Sequence, residues 1–139
     1  MKRMSGLKLL DEREGTGTPA KKGDRVVYNS RIFLNQGEEV SLNDIQAKQL
    51  PKDMVRVEAG FTFIDHRIVL GRRQAIAGVE HTLMGMKIGG YRKVRLSPHL
   101  AYRDKGIQDL IPPDAVLICE IWLRNIVGSF SVESLPGVT

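Results

Sequence analysis

Four short motifs in the second half of this chain constrain its fold more than any other feature. In chain order they are Ala77-Gly78-Val79-Glu80, Gly85-Met86-Lys87-Ile88-Gly89-Gly90, Leu100-Ala101-Tyr102 and Ile111-Pro112-Pro113-Asp114-Ala115. The first predicts a short helix over residues 78–84, because Val79 and Leu83 fall on one face at i and i+4. The glycines of the second motif end this helix. Residues 98–113, which hold the last two motifs, predict a long loop.

Alternating apolar residues predict strands around these motifs. The clearest runs from Val116 to Ile126, where Leu117, Cys119, Ile121 and Leu123 line one face. Further strands are predicted over residues 25–34, 54–57, 61–70 and 91–97, and a second short helix over residues 42–50, ended by Pro51. Strands with one dominant short helix predict an α+β fold, an antiparallel sheet packed on a helix.

The composition is that of a globular chain of 139 residues, with 42% hydrophobic and 27% charged residues. One cysteine, Cys119, excludes an internal disulfide and is interpreted as a buried apolar residue. His66, His81 and His99 lack metal-ligand spacing, so we expect neither a metal nor a cofactor. No apolar run is long enough to span a bilayer, and no hydrophobic signal segment follows Met1, so we expect no membrane association and a cytoplasmic location.

The four motifs, in this order and spacing, resemble the FKBP family of peptidyl-prolyl cis-trans isomerases. The resemblance implies a curved antiparallel β-sheet wrapped around one short α-helix, with the ligand pocket between sheet, helix and long loop. We therefore divide the chain into an N-terminal lead-in (1–22), an FKBP-like domain (23–127) with an insertion at about 42–65, and a flexible C-terminal tail (128–139).

The resemblance also assigns pocket positions. It implies that the backbone N–H of Ile76 anchors the ligand and that the Tyr102 hydroxyl bonds a ligand carbonyl, so these two are the candidate catalytic residues. Val79 falls on the pocket floor, and Cys119 stands where the family usually has phenylalanine. The other implied wall residues are Ala75, Ile107, Leu110 and Ile111.

The first half of the chain departs from the family's pattern. Val40 and Ser41 stand where the family usually has phenylalanine and aspartate, and Ser30 replaces a strand tyrosine. Tyr28, one pleat earlier on the same strand face, is expected to substitute in part, and His66 aligns with the next pocket aromatic. All five remain candidate substrate-binding positions.

The insertion offers a replacement for the missing aromatic and acid. Phe61 or Phe63, together with Asp65, are the residues that we hypothesise to take this role. The hypothesis requires these side chains to lie near Tyr102.

Three functions follow, in order of expectation. The first is a prolyl isomerase that acts on proline-containing polypeptides as a monomer, and the resemblance extends its ligands to macrolide immunosuppressants. The second is a binding or chaperone module of the same fold with weak or no isomerase activity. The third is a nucleic-acid or ribosome accessory protein, suggested by a net charge of +5. Because the basic residues are dispersed, we do not expect nucleic acid as a main partner, and a steep loss of affinity with salt would identify this case.

Overall fold

A computed structural model describes residues 4–129 of the chain. Within them lie eight strands and two α-helices, with short 3₁₀ turns at Lys52–Met54 and Pro98–Leu100. In chain order the elements are β1 (Leu7–Arg13), β2 (Asp24–Leu34), β3 (Glu39–Val40), α1 (Leu42–Ala47), β4 (Val55–Glu58), β5 (Phe61–Ile64), β6 (His66–Val69), α2 (Ala77–Leu83), β7 (Tyr91–Leu96) and β8 (Leu117–Ser129).

The main sheet has the order β1-β7-β8-β2-β3, and β6 also pairs with β2. Every pairing is antiparallel. β2 and β8 form the centre, with Tyr28 opposite Leu123 and Leu34 opposite Leu117. Register shifts after Arg25 and Val27 strengthen the local bend, as β-bulges do. The predicted α+β class, a curved antiparallel sheet around one main short helix, is confirmed.

The core lies between the concave face of this sheet and α2. Leu117, Cys119, Ile121 and Leu123 are fully buried, as the alternation along this strand predicts. α2 packs close to the sheet at Gly78, where a Cβ atom would lie 2.6 Å from the Leu96 side chain. This close approach brings the helix start, and with it the candidate site, against the sheet.

Strands of the main sheet extend into the predicted lead-in and to the start of the predicted tail. Within the predicted lead-in, β1 pairs with β7 along its length and forms an edge of the sheet. Its side chains are mostly exposed, so the sequence shows little apolar alternation there. At the other end, Gly128 and Ser129 belong to β8, opposite Arg25 and Asp24. The rest of the predicted flexible tail, 130–139, lies outside the described residues.

The single strand predicted over residues 61–70 is wrong. The chain turns at Asp65, so that β5 pairs with β4 in a separate hairpin while β6 pairs with β2. The backbone N–H of Asp65 donates to the Met54 carbonyl at 2.8 Å, and its carboxylate accepts a 2.7 Å bond from Asn29. The insertion at 42–65 thus forms α1 and the β4–β5 hairpin, and Asp65 joins it to the sheet.

Candidate functional site

A cleft of about 440 Å³ opens between the concave end of the sheet, α1 and the start of α2. Side chains from β2, β3, β6, both helices and two loops line it. Eight predicted site residues meet there: Tyr28, Ser30, Val40, His66, Ala75, Ile76, Val79 and Tyr102. These residues span 75 positions of the chain, so only the tertiary fold brings them together.

The floor and inner wall of the cleft are apolar. Val79 in α2 is 4% exposed and Val40 in β3 is 6% exposed. Ile76, which precedes α2, is half-buried at the same cleft. A ligand in contact with these residues is shielded from water on that side.

Ile76 holds the cap position at the start of α2 and has extended backbone angles, φ −59° and ψ 148°. Its carbonyl accepts the backbone N–H groups of Val79 and Glu80 at 3.0 and 3.1 Å. Within residues 4–129, no acceptor pairs with the Ile76 N–H. A helix start leaves such donors available, so this amide can bind a ligand carbonyl.

Tyr28 and His66 form a stacked aromatic pair in the cleft wall, with ring centroids 5.0 Å apart and planes at 27°. They face each other across the β2–β6 pairing. Burial raises the pKa of Tyr28 well above its ordinary value, and Tyr102 and Cys119 add to this. Burial also lowers the pKa of His66, against a smaller opposing effect of Asp65. Both rings are therefore uncharged near neutral pH.

Tyr102 lies in the loop after the Pro98–Leu100 turn and is half-buried at the cleft. Burial is the main cause that raises the pKa of its hydroxyl, and Cys119 adds a smaller effect. Its carbonyl accepts the Gly106 N–H at 3.0 Å, which braces the loop. The hydroxyl thus stays protonated and can donate a hydrogen bond to a ligand.

Five predicted site residues lie outside this cleft. Ile107, Leu110 and Ile111 border a separate depression of about 420 Å³ beside Pro112 and Pro113. Cys119 is fully buried in the sheet, and burial raises its pKa to about 12. Ser41 starts α1 and borders a smaller cavity on the far side of β3.

The hypothesis that Phe61 or Phe63, together with Asp65, replaces the missing aromatic and acid of the pocket is wrong. Phe61 lies beneath the Arg31 guanidinium, 4.1 Å from the ring centroid, and Phe63 packs edge-on against Trp122 at 5.3 Å. The Asp65 carboxylate is bound by Asn29 and Arg56. Arg31 and Trp122 belong to the outer face of β2 and β8, so the hairpin covers the side of the sheet opposite Tyr102.

Sequence reasoning missed six residues that line the cleft: Ile32, Leu42, Asn43, Gln46, Arg73 and Gln74. Ile32 was detectable, because it follows Ser30 on the same strand face. Asn43 and Gln46 share a face of α1 at i and i+3, yet no local signal shows where an inserted helix packs. Arg73 has a left-handed backbone, φ 56°, which a loop of this composition does not reveal.

Residues 4–129 contain neither a metal-binding cluster of side chains nor a helix that could span a membrane. No group of three or more histidine, cysteine or acidic side chains in this part of the chain could hold a metal ion. None of the helices described there has the length and apolar character needed to cross a membrane.

Comparison with known proteins gives concordant matches. Residues 16–124 match the family described as FKBP-type peptidyl-prolyl cis-trans isomerase. The chain is 31% identical over 126 residues to FK506-binding protein 1A of Neurospora crassa, covering 90% of this chain and 92% of that protein. It is 31% identical over 121 residues to the 46 kDa FK506-binding nuclear protein of Spodoptera frugiperda, covering 87% of this chain but 26% of that protein. It is also 30% identical over 126 residues to FK506-binding protein 4 of Aspergillus fumigatus, covering 91% of this chain and 22% of that protein.

Proposed function

Because the chain belongs to the FKBP-type peptidyl-prolyl cis-trans isomerase family, we propose that it accelerates cis-trans rotation about X-Pro bonds of polypeptides in the cleft described above. The observation that carries this proposal is the convergence of the Ile76 amide, the Tyr102 side chain and the apolar Val79 floor on one cavity.

Rotation about an X-Pro bond requires neither a nucleophile nor a metal ion from the protein. Rotation about the amide bond faces a barrier of about 18–20 kcal/mol, because resonance is lost in the twisted state. A twisted amide has a less polar carbonyl than a planar one, so a water-poor apolar cavity stabilises it relative to the solvated ground state. The Val79 and Val40 side chains supply such a surface.

Two donors hold the substrate while it rotates. The Ile76 N–H is unpaired within the described residues and can bind one backbone carbonyl of the peptide. The Tyr102 hydroxyl, protonated at neutral pH, can bind a second. These two hydrogen bonds fix the peptide segments on either side of the X-Pro bond, so that the bond is held in position for rotation.

Exchange NMR on a short peptide containing Leu-Pro tests this proposal. The wild-type chain should raise the exchange rate well above the uncatalysed one, which is on the order of 0.001–0.1 per second. Ile76→Asp should abolish this acceleration, because it places a charge at the apolar cleft. Tyr102→Phe should lower kcat/KM by about fivefold to tenfold, the loss of about one hydrogen bond.

Val57→Asp is the matched control, since Val57 is 72% exposed on the hairpin and lies away from the cleft. It introduces the same charge and should keep the wild-type rate. No acceleration by the folded wild-type chain would refute the proposed activity.

A second candidate function is a binding module of the same fold. Ser30 and Val40 support it, since both line the cleft and neither carries an aromatic ring. In that case the peptide binds at the cleft, seen as shifts of the Ile76 and Tyr102 NMR signals, without faster exchange.

The names of the relatives state that they bind FK506, and we extend this to the same cleft. FK506 should then compete with the peptide in both assays. Binding of FK506 that leaves the peptide in place would refute this assignment.

A further inference from the structure

We propose that the cleft selects X-Pro segments in which a residue flanking the proline carries a carboxylate, and that Arg73 determines this preference. The inference rests on the proposed function and adds a substrate class to it. Four observations carry it: the charges in the cleft, the engagement of the neighbouring acids, the fixed backbone of the Arg73 loop and the polar wall of α1.

Among the described residues that line the cleft, Arg73 is the one that carries a formal charge near neutral pH. His66 is the other basic group in the lining, and burial lowers its pKa, so its ring is neutral. No aspartate or glutamate lines the cleft in the part of the chain that the structure describes. The electrostatic character of the cavity is therefore positive.

Two acidic side chains of neighbouring segments, Glu80 and Asp65, have other partners. The Glu80 carboxylate accepts the Gly71 N–H at 2.6 Å. The Asp65 carboxylate accepts bonds from Asn29 at 2.7 Å and from Arg56 at 3.1 Å. Over residues 4–129, Arg73 forms no ion pair with an acid. Its guanidinium is thus available to an acid from outside.

The loop that carries Arg73 has a defined backbone. The Gln74 side chain accepts the Val69 N–H at 2.8 Å, and the Arg72 N–H donates to the Val69 carbonyl at 3.2 Å. Arg73 lies between these two bonded residues and three positions before the Ile76 anchor. A peptide held by Ile76 therefore has the positive charge close to its anchored segment.

The wall formed by α1 is also polar. The Asn43 amide donates to the Ser30 carbonyl at 2.8 Å, which ties α1 to β2 and leaves the amide oxygen of Asn43 as an acceptor. Gln46 lies one helical turn further along the same cleft wall. These amides can bind polar atoms of the substrate, whereas they gain nothing from a large apolar side chain.

Because Arg73 is exposed, its attraction for a carboxylate is screened by water. An ion pair at about 4 Å in bulk water corresponds to about 1 kcal/mol, or about fivefold in binding. We therefore expect about a fivefold preference, expressed in KM more than in kcat.

The test compares acetylated, amidated peptides that differ by one group. Two series place Glu or its neutral isostere Gln directly before or directly after the proline. The Glu-to-Gln ratio of kcat/KM is measured by exchange NMR for the wild type, Arg73→Gln, Arg73→Lys and Arg67→Gln. Arg67 is the matched control, because it is exposed on β6 and lines a different cavity.

The inference predicts a ratio of about five in at least one series for the wild type, Arg73→Lys and Arg67→Gln, and a ratio near one for Arg73→Gln. Raising ionic strength from about 0.01 M to about 1 M, which shortens the screening length from about 30 to about 3 Å, should reduce the wild-type ratio toward one.

The outcomes separate this inference from the proposed function. If the wild type accelerates every peptide but its Glu-to-Gln ratio of kcat/KM is near one, the carboxylate preference is overturned and the isomerase proposal is supported. A ratio that persists in Arg73→Gln overturns the role of Arg73. If no peptide is accelerated, the isomerase proposal fails, and the same Glu-to-Gln ratio in dissociation constants, from NMR titration, decides the inference.

Discussion

Replacing Arg92 with methionine should lower the free energy of unfolding by about 3 kcal/mol. Arg92 in β7 is 5% exposed, and its Nη1 donates to the carbonyls of Thr82 and Met84 at 2.8 and 3.0 Å. These carbonyls end α2, where no further turn of helix supplies donors. Arg92 therefore holds the helix that carries the cleft floor.

The magnitude follows from these contacts. Methionine keeps most of the apolar reach but leaves both carbonyls unpaired, at a cost of about 1–3 kcal/mol each. The Nε contact with the half-exposed Glu12 carboxylate at 3.2 Å adds less than about 1 kcal/mol. Removing a buried guanidinium recovers some desolvation energy, which places the net loss at about 3 kcal/mol.

Urea unfolding followed by Trp122 fluorescence measures this loss. Trp122 is the single tryptophan and packs against Tyr91 and Phe63. With a slope of about 2 kcal/mol per molar urea, the midpoint should fall by about 1.5 M. Lys93→Met, on the opposite face of β7, should change stability by less than about 0.5 kcal/mol. A midpoint for Arg92→Met within the range of this control would refute the reasoning.

Three further substitutions test other parts of the structure. Burial holds the pKa of His66 below the ordinary 6.5, so the unfolded chain takes up a proton before the folded chain does as pH falls, and stability should decline below pH 6.5. His66→Phe should make the melting temperature depend less on pH in that range. An unchanged pH dependence of the melting temperature would contradict this prediction. Asn29→Leu removes a buried donor to the Asp65 carboxylate, so it should lower the free energy of unfolding in urea by about 2–4 kcal/mol and raise the pKa of Asp65, measured by carboxyl-carbon NMR. An unchanged pKa of Asp65 would count against this contact. Leu123→Ala should lower the free energy of unfolding by about 2–5 kcal/mol, because Leu123 is fully buried. Val127→Ala on the same strand should lower it by less than about 0.5 kcal/mol, because Val127 is exposed. Equal losses in the two variants would contradict the assigned core face of β8.

Patterns confined to one element were predictable. Along β8, strict alternation identifies the face that is fully buried, because a strand in a one-sided core exposes every second residue. The short helix α2 was likewise predictable, since Val79 and Leu83 fall on one face at i and i+4, whereas the assignment of Val79 to the pocket floor came from the family resemblance. Ile76 and Tyr102 required the resemblance, because nothing local distinguishes them from other isoleucines and tyrosines.

The insertion shows where such prediction ends. Phe61 and Phe63 have the chemistry of pocket aromatics, and the alternation through Asp65 reads as one strand. The Asn29 and Arg56 contacts of Asp65 turn the chain there instead, and the hairpin covers the outer face. Those partners lie 36 and 9 residues away, so the competition between a continuous strand and a turn is decided by contacts that local sequence does not contain.

By itself, the sequence determined the class of fold, the buried face of the last strand, the short helix and the family of the chain. All of these depend on periodicity and motif spacing along a continuous segment. The tertiary structure decided that β1 joins the sheet edge, that α1 forms a wall of the cleft, and that Arg73 is the charge at the cleft. These features arise from packing between distant segments, whose free energy depends on shape and burial in three dimensions rather than on neighbouring residues.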